Sequence, residues 1–225
     1  MNKAITFACL ASFLCACSSH NNSATQAQRL NQDPANLPLA KDPPLKANTR
    51  FAAGQLDESQ GKVDAAIHQY NAALEIDSTH LPSLYRLGVI YAEQKNYDKS
   101  IEIWHQYLTV SNNAPEGYGN LGYCYELAGN PKLAEATYQK GIEKDANNAG
   151  CRTNYGLMLA RKGRIQEAVR MWNPVLTQAE IHYNLASIYL QGGRKQEAKA
   201  EYQHALNLDP TMIDARARLS DLGSD

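Results

Sequence analysis

"LYRLGVIYAEQKNYDKSIEIW", residues 84–104, decides the fold. Leu84, Leu87 and Tyr91 are spaced by three and four, which places them on one face of a helix. A polar break follows, and Ser100 and Trp104, four apart, resume the pattern on a second helix. Gly88 sits inside the first helix, where glycine costs about 1 kcal/mol relative to alanine, so it needs a packing reason. Working outward, each feature recurs. Tyr70, Trp104, Tyr138 and Trp172 are spaced by 34, and Tyr202 follows after 30. Gly54, Gly88, Gly122, Gly156 and Ala186 march with them, as do Ala66, Ser100, Ala134, Ala168 and Ala198. A fixed period of this length, carrying two helices per unit, is the signature of stacked repeats, none of which buries its apolar face alone. The small residues of the first two registers are expected to meet, Gly122 against Ala134, with the aromatic filling the gap to the next repeat. Gly61, Gly129, Gly163 and Gly193 lie where a left-handed residue would end each first helix, with Lys95 as the exception.

The pattern resembles the tetratricopeptide repeat: W-x₂-L-G-x₂-Y, then A-x₃-F, then Pro. Leu84, Leu87, Gly88, Tyr91, Ser100 and Trp104 carry it in the second repeat, and Tyr118, Leu121, Gly122, Tyr125, Ala134 and Tyr138 in the third. His182, Leu185, Ala186, Tyr189, Ala198, Tyr202 and Pro210 carry it in the fifth. The resemblance implies an all-α solenoid, five helix-turn-helix repeats in a right-handed superhelix with a C-terminal capping helix. The repeats run 47–80, 81–114, 115–148, a shortened 149–178, and 179–212; 213–225 form the cap and tail. The first repeat is degenerate, with Arg50 and Asp57 at apolar positions. Pro174 stands two residues after Trp172 and predicts a truncated second helix in the fourth.

Residues 1–16 read as a signal peptide: Lys3, then the uncharged, mostly apolar run Ala4–Leu14, too short to span a bilayer as a helix. Leu14-Cys15-Ala16-Cys17 resembles a bacterial lipobox, which makes Cys17 the lipidated residue. Ser18, not Asp, follows it, which the resemblance reads as an outer-membrane address facing the periplasm. Residues 17–46, rich in Ser, Asn, Gln, Ala and Pro, bury too little apolar surface to offset ordering entropy and read as a linker.

Net charge is −1 and the Lys and Arg residues form no basic stripe, which argues against nucleic-acid binding. Cys124 and Cys151 fall about seven residues out of register on parallel helices, hence about 10 Å apart in rise, and predict free thiols. Gly117-x-Gly119-x-x-Gly122 matches a dinucleotide fingerprint, but that motif needs a preceding strand, and Gly122 belongs to the repeat. The six histidines show no metal-ligand spacing, and His182 holds a core register. No catalytic residues, metal ligands or cofactor sites are assigned, and the chain is not expected to be an enzyme.

One polar series stands out. Arg86, Asn120, Asn154 and Asn184 precede the small packing residue by two on successive first helices. In solenoids of this family first helices line the concave face, and the series resembles asparagine ladders that grip a peptide backbone. Solvated polar positions are the alternative. Tyr85, Tyr123 and Tyr183 border the same groove or serve as packing residues. The expected function is a membrane-tethered interaction scaffold of the bacterial envelope that binds a protein segment in this groove. The chain resembles bacterial lipoproteins of this repeat family, including those of Tad and type IV pili. Its narrower role would be assembly of a pilus, secretion or outer-membrane complex. The alternative is a glycan- or cell-wall-binding protein, or an enzyme, using the Tyr-rich groove.

Overall fold

The computed structural model describes residues 45–223. Cys17 and the signal and linker segments lie outside the described residues, apart from Leu45 and Lys46 at the linker's end. The described residues form eleven helices and no strand. They run as pairs: α1 (Ala47–Ser59) with α2 (Val63–Ile76), α3 (Leu81–Glu93) with α4 (Tyr97–Val110), and α5 (Pro115–Leu127) with α6 (Pro131–Lys144). α7 (Ala149–Arg161) pairs with α8 (Ile165–Trp172), α9 (Gln178–Gln191) with α10 (Lys195–Leu208), and α11 (Ile213–Asp221) stands alone.

Each first helix ends the same way. Gly61, Gly129, Gly163 and Gly193 take φ of 73°, 78°, 76° and 75°, and Lys95 takes the same left-handed region at 60°. Around Gly129 its own N–H reaches the Glu126 carbonyl at 3.0 Å, while Asn130 N–H reaches that of Tyr125 at 2.8 Å. This pair of bonds recurs in all five repeats and satisfies carbonyls that a helix end leaves open.

The core is the aromatic register. Tyr70, Trp104, Tyr138, Trp172 and Tyr202 are buried, as are the Ala or Ser residues four positions before them. The glycine register makes room for those rings. A Cβ on Gly122 would sit 2.5 Å from Tyr138 Cε1, and on Gly88 2.6 Å from Trp104 Cε2, with neither Ala134 nor Ser100 among the nearest atoms. A side chain at either glycine would therefore meet the ring of its own repeat first. The ring reaches the next repeat as well, since Tyr138 stacks on Tyr155 at 5.9 Å and Tyr70 clusters with Leu87 and Ile90. Ser100 adds a bond of its own, Oγ donating to the Gly88 carbonyl at 2.6 Å.

Successive pairs stack: α2 packs on α3, α4 on α5, α6 on α7, and α10 on α11. The fourth pair departs. α8 has 8 residues where the other second helices have 14, because Pro174 cannot continue it. The main contact with the fifth pair is α7 against α9, and Trp172 of α8 shares a core cluster with Ile181 and Leu185 of α9. α9 restarts on a capping box, with Thr177 Oγ1 accepting from Glu180 N–H at 3.2 Å and the Glu180 carboxylate accepting from Thr177 N–H at 2.7 Å. In the first repeat, Arg50 donates to Gln69 at 3.0 Å, while its Nε is buried without a hydrogen-bond partner.

Candidate functional site

On the first helices the fifth, sixth and ninth residues of each repeat are one, three and four apart, so they share a face. α5 packs on α7 and α7 on α9, which carries that face from one repeat to the next. Arg86, Asn120, Asn154 and Asn184 hold the sixth register, and all four are half-buried. Their surroundings differ. Arg86 forms an ion pair with Glu58, its Nε donating to Oε2 at 3.2 Å, and the buried Tyr70 hydroxyl donates to the same oxygen at 2.7 Å. Asn154 donates from Nδ2 to the Gly119 carbonyl at 3.4 Å, a long bond that ties α7 to α5. Among the described residues, Asn120 and Asn184 have no side-chain hydrogen-bond partner, so both amides keep a full set of donors and acceptors.

The tyrosines divide likewise. Tyr85 stands edge-to-face with Trp104 at 5.2 Å and also meets Tyr107. Tyr183 does the same with Tyr202 at 5.6 Å. Tyr123 makes no ring contact within the described fold and is half-buried beside the Arg161–Glu126 ion pair. Burial raises its phenol pKa, and Arg161 opposes that. Val89 and Leu157 hold the same register one repeat to either side.

Sequence reasoning did not find the carboxylates. Glu58 and Glu126 each occupy the twelfth position of their repeat, each accepts from the buried tyrosine of the second helix, and each binds an arginine from a later repeat. Burial, then the bond that Tyr70 donates to Glu58, holds the Tyr70 hydroxyl protonated well above the usual range. The 68-residue spacing of the two glutamates was the available signal.

The other reactive groups are inert. Cys124 and Cys151 are free and buried; burial, reinforced by Asp145 and Glu116, pushes the Cys151 thiol up to about 12, and burial raises Cys124 too. His182 holds Glu201 through Nδ1 at 2.5 Å, a satisfied core-edge histidine. Among the described residues no group of three or more His, Cys, Asp or Glu is placed to hold a metal ion, and no helix is long and apolar enough to cross a membrane.

Tetratricopeptide-repeat family profiles match residues 51–115, 115–148 and 179–212. The type IV pilus assembly protein PilF of Pseudomonas aeruginosa is 22% identical over 143 residues, 61% of this chain and 57% of its own length. The Hsp70-Hsp90 organising protein of Plasmodium falciparum is 28% identical over 65% of this chain and 27% of its own length. Human tetratricopeptide repeat protein 7B is 28% identical over 55% of this chain and 14% of its own. The chain thus spans less than two thirds of each of these relatives. Among solved structures, TTC0263 of Thermus thermophilus aligns with a TM-score of 0.61 at 22% identity, covering 78% of this chain and 98% of that one. PilF of Pseudomonas aeruginosa aligns at 0.57 and 15% identity, over 78% and 82%. YrrB, described as having an unusual peptide-binding site, aligns at 0.51 and 23% identity, over 76% and 91%. The chain belongs to the tetratricopeptide repeat family of protein-interaction scaffolds.

Proposed function

We propose that this protein is an envelope scaffold, tethered through a lipidated Cys17, that grips an extended protein segment along its first helices. One observation carries the reading: Asn120 and Asn184 hold one register on a face that runs from helix to helix, and neither amide has a partner in the fold. Asparagine is some tenths of a kcal/mol worse in a helix than Glu or Lys, so its repetition there asks for a use. A side-chain amide both donates and accepts, as a peptide backbone does. The likeness to the pilus assembly protein of Pseudomonas aeruginosa supports the narrower reading, assembly of a pilus or secretion complex of the outer membrane. Lipidation suits that role, since each buried CH₂ contributes about 0.8 kcal/mol and two or three chains on one cysteine anchor firmly.

The test is Asn120→Ala, Asn154→Ala and Asn184→Ala combined, measured against the segment that co-purifies with the wild type. Each bond contributes about 0.5–1.5 kcal/mol net, so the triple variant should bind on the order of a hundredfold more weakly. Asn154, already engaged with Gly119, should contribute least. Wild-type affinity in a triple variant with an unchanged melting curve would move the site off this face. Mass spectrometry of the N-terminal peptide checks the tether: an unacylated Cys17 rules it out.

A further inference from the structure

Three residues after the core aromatic of each second helix the repeat takes a small, buried residue: Ala73, Gly141 and Ala205. The second repeat places Tyr107 there instead, half-buried. Room for its ring comes from Gly117 in the first turn of α5. A Cβ on Gly117 would stand 2.9 Å from Tyr107 Cδ1 and 2.7 Å from Leu108 Cδ2. Tyr107 also meets Tyr85 of α3 at 6.2 Å and the buried Trp104 at 5.4 Å, both edge-to-face. Among the described residues neither the Tyr85 nor the Tyr107 hydroxyl has a hydrogen-bond partner. Glu116 directly precedes Gly117; it is solvent-exposed, and no ion pair or hydrogen bond holds its carboxylate. Burial, then Glu116, then Tyr85 raise the Tyr107 phenol pKa, so the carboxylate acts on that ring.

Packing alone gives this exchange little return. A tyrosine in place of alanine leaves part of its ring in water, and the glycine that admits it costs a helix about 1 kcal/mol relative to alanine. The carboxylate beside the rings supplies a reason. Electron-rich ring faces and a carboxylate both attract a cation, and neither attracts an anion. No lysine or arginine of the described fold pairs with Glu116. The second position of the other repeats holds Asn48, Pro82 and Gly150, or Glu180, whose carboxylate accepts from the Thr177 N–H and hydroxyl. An open carboxylate against two tyrosines therefore occurs at this position in the third repeat alone among the five described. Glu116 and Asn120 are four apart, hence on one face of α5. A backbone gripped by Asn120 thus passes within one helical turn of Glu116. We infer that Tyr85, Tyr107 and Glu116 form a site for a cationic side chain carried by the segment bound along the first helices. Arginine suits it better than lysine, because a planar guanidinium stacks on rings and gives up its water more readily. The inference rests on the groove reading above and specifies its partner.

The experiment uses the full chain and fluorescent peptides of about twelve residues, otherwise uncharged, about 40 Å long when extended. Each carries arginine, lysine, glutamate or citrulline, the neutral isostere of arginine, at one position that is stepped along the peptide. At the best position arginine should bind at least about tenfold tighter than citrulline at low salt, with lysine between them and glutamate weakest. The ratio should shrink as salt rises, because Glu116 is exposed. Glu116→Gln should cut the arginine-to-citrulline ratio to about threefold or less, and Tyr107→Ala, which restores the small residue used elsewhere, should do the same. Glu116→Gln, at an exposed position, decides the matter even where Tyr107→Ala lowers Tm. Glu93→Gln removes an exposed charge about 12 Å along α3 from Tyr85, at 1.5 Å per residue, and should keep the ratio. The triple asparagine variant should weaken every peptide and also keep the ratio. Three results overturn this inference and leave the groove standing: a low-salt ratio near one, a ratio that survives both Glu116→Gln and Tyr107→Ala, or a ratio that Glu93→Gln lowers equally. Peptides that bind the triple asparagine variant as tightly as the wild type, or no binding by any peptide, overturn the groove and this inference together.

Discussion

Lys95 takes a backbone conformation that four glycines take elsewhere in the chain. A side-chain-bearing residue pays roughly 1–2 kcal/mol for the left-handed region, against which glycine brings about 0.5–1 kcal/mol of extra unfolded-state entropy. Lys95 is exposed, so nothing in its side-chain packing opposes exchange. Lys95→Gly should therefore stabilise the fold by about 0.5–1 kcal/mol, which for a domain of this size is a rise in Tm of about 1–4 °C. A lower Tm would mean that the lysine side chain contributes more than its strain. Gly122 is the opposite case. A methyl there would stand 2.5 Å from the ring of Tyr138, a buried side chain with no room to retreat. Gly122→Ala should cost about 1–3 kcal/mol, although alanine is the better helix former. An unchanged Tm would mean that the ring of Tyr138 yields without cost. The sequence displays the small residue at every thirty-fourth position. It does not display which neighbour demands it, because Tyr138 and Ala134 lie one turn apart on the same helix, and only the ring's direction separates them.

At the scale of helices, the fourth repeat shows what a local signal can and cannot carry. Pro174 is legible as a stop, and α8 does end at Trp172. What compensates is less legible: α9 packs on α7, and its N-terminus is secured by the reciprocal bonds of Thr177 and Glu180. The spacing Thr177-x-x-Glu180 is itself a capping signature, legible apart from the repeat pattern around it. It is the only complete capping box among the described helices. Thr177→Ala should cost about 0.5–2 kcal/mol and speed amide exchange in the first turn of α9 before it affects α7. Thr177→Ser, which keeps the hydroxyl, should recover most of the loss. Equal Tm values for the alanine and wild-type chains would mean that packing on α7 and α10 holds the helix without its cap.

Across the whole array, period and patterning made the fold legible because each repeat states the same packing problem again. The face was partly legible: the asparagine series could be read, while the Glu58–Arg86 and Glu126–Arg161 pairs could not, since they join residues 28 and 35 apart across different repeats. The same non-uniformity bears on stability. A solenoid's stability is close to a sum of repeat terms and nearest-neighbour terms, so it should open where both are poorest. α1 buries only Ala47 and Gly54, and carries Arg50 with a buried Nε left unpartnered. α7 buries Cys151, Tyr155, Gly156, Met158, Leu159 and Ala160, and Tyr155, Met158, Leu159 and Ala160 belong to a core cluster reaching from Ala134 to Ile188. Native-state hydrogen exchange should therefore find 47–59 opening with a free energy at least about 2 kcal/mol below that of 149–161. Asn48→Ala, which removes the 2.8 Å bond from α1 to His80, should widen that gap by lowering the first value alone. Protection of equal strength in both segments would mean that the five repeats open as one cooperative unit, and that the degenerate first repeat carries no weakness.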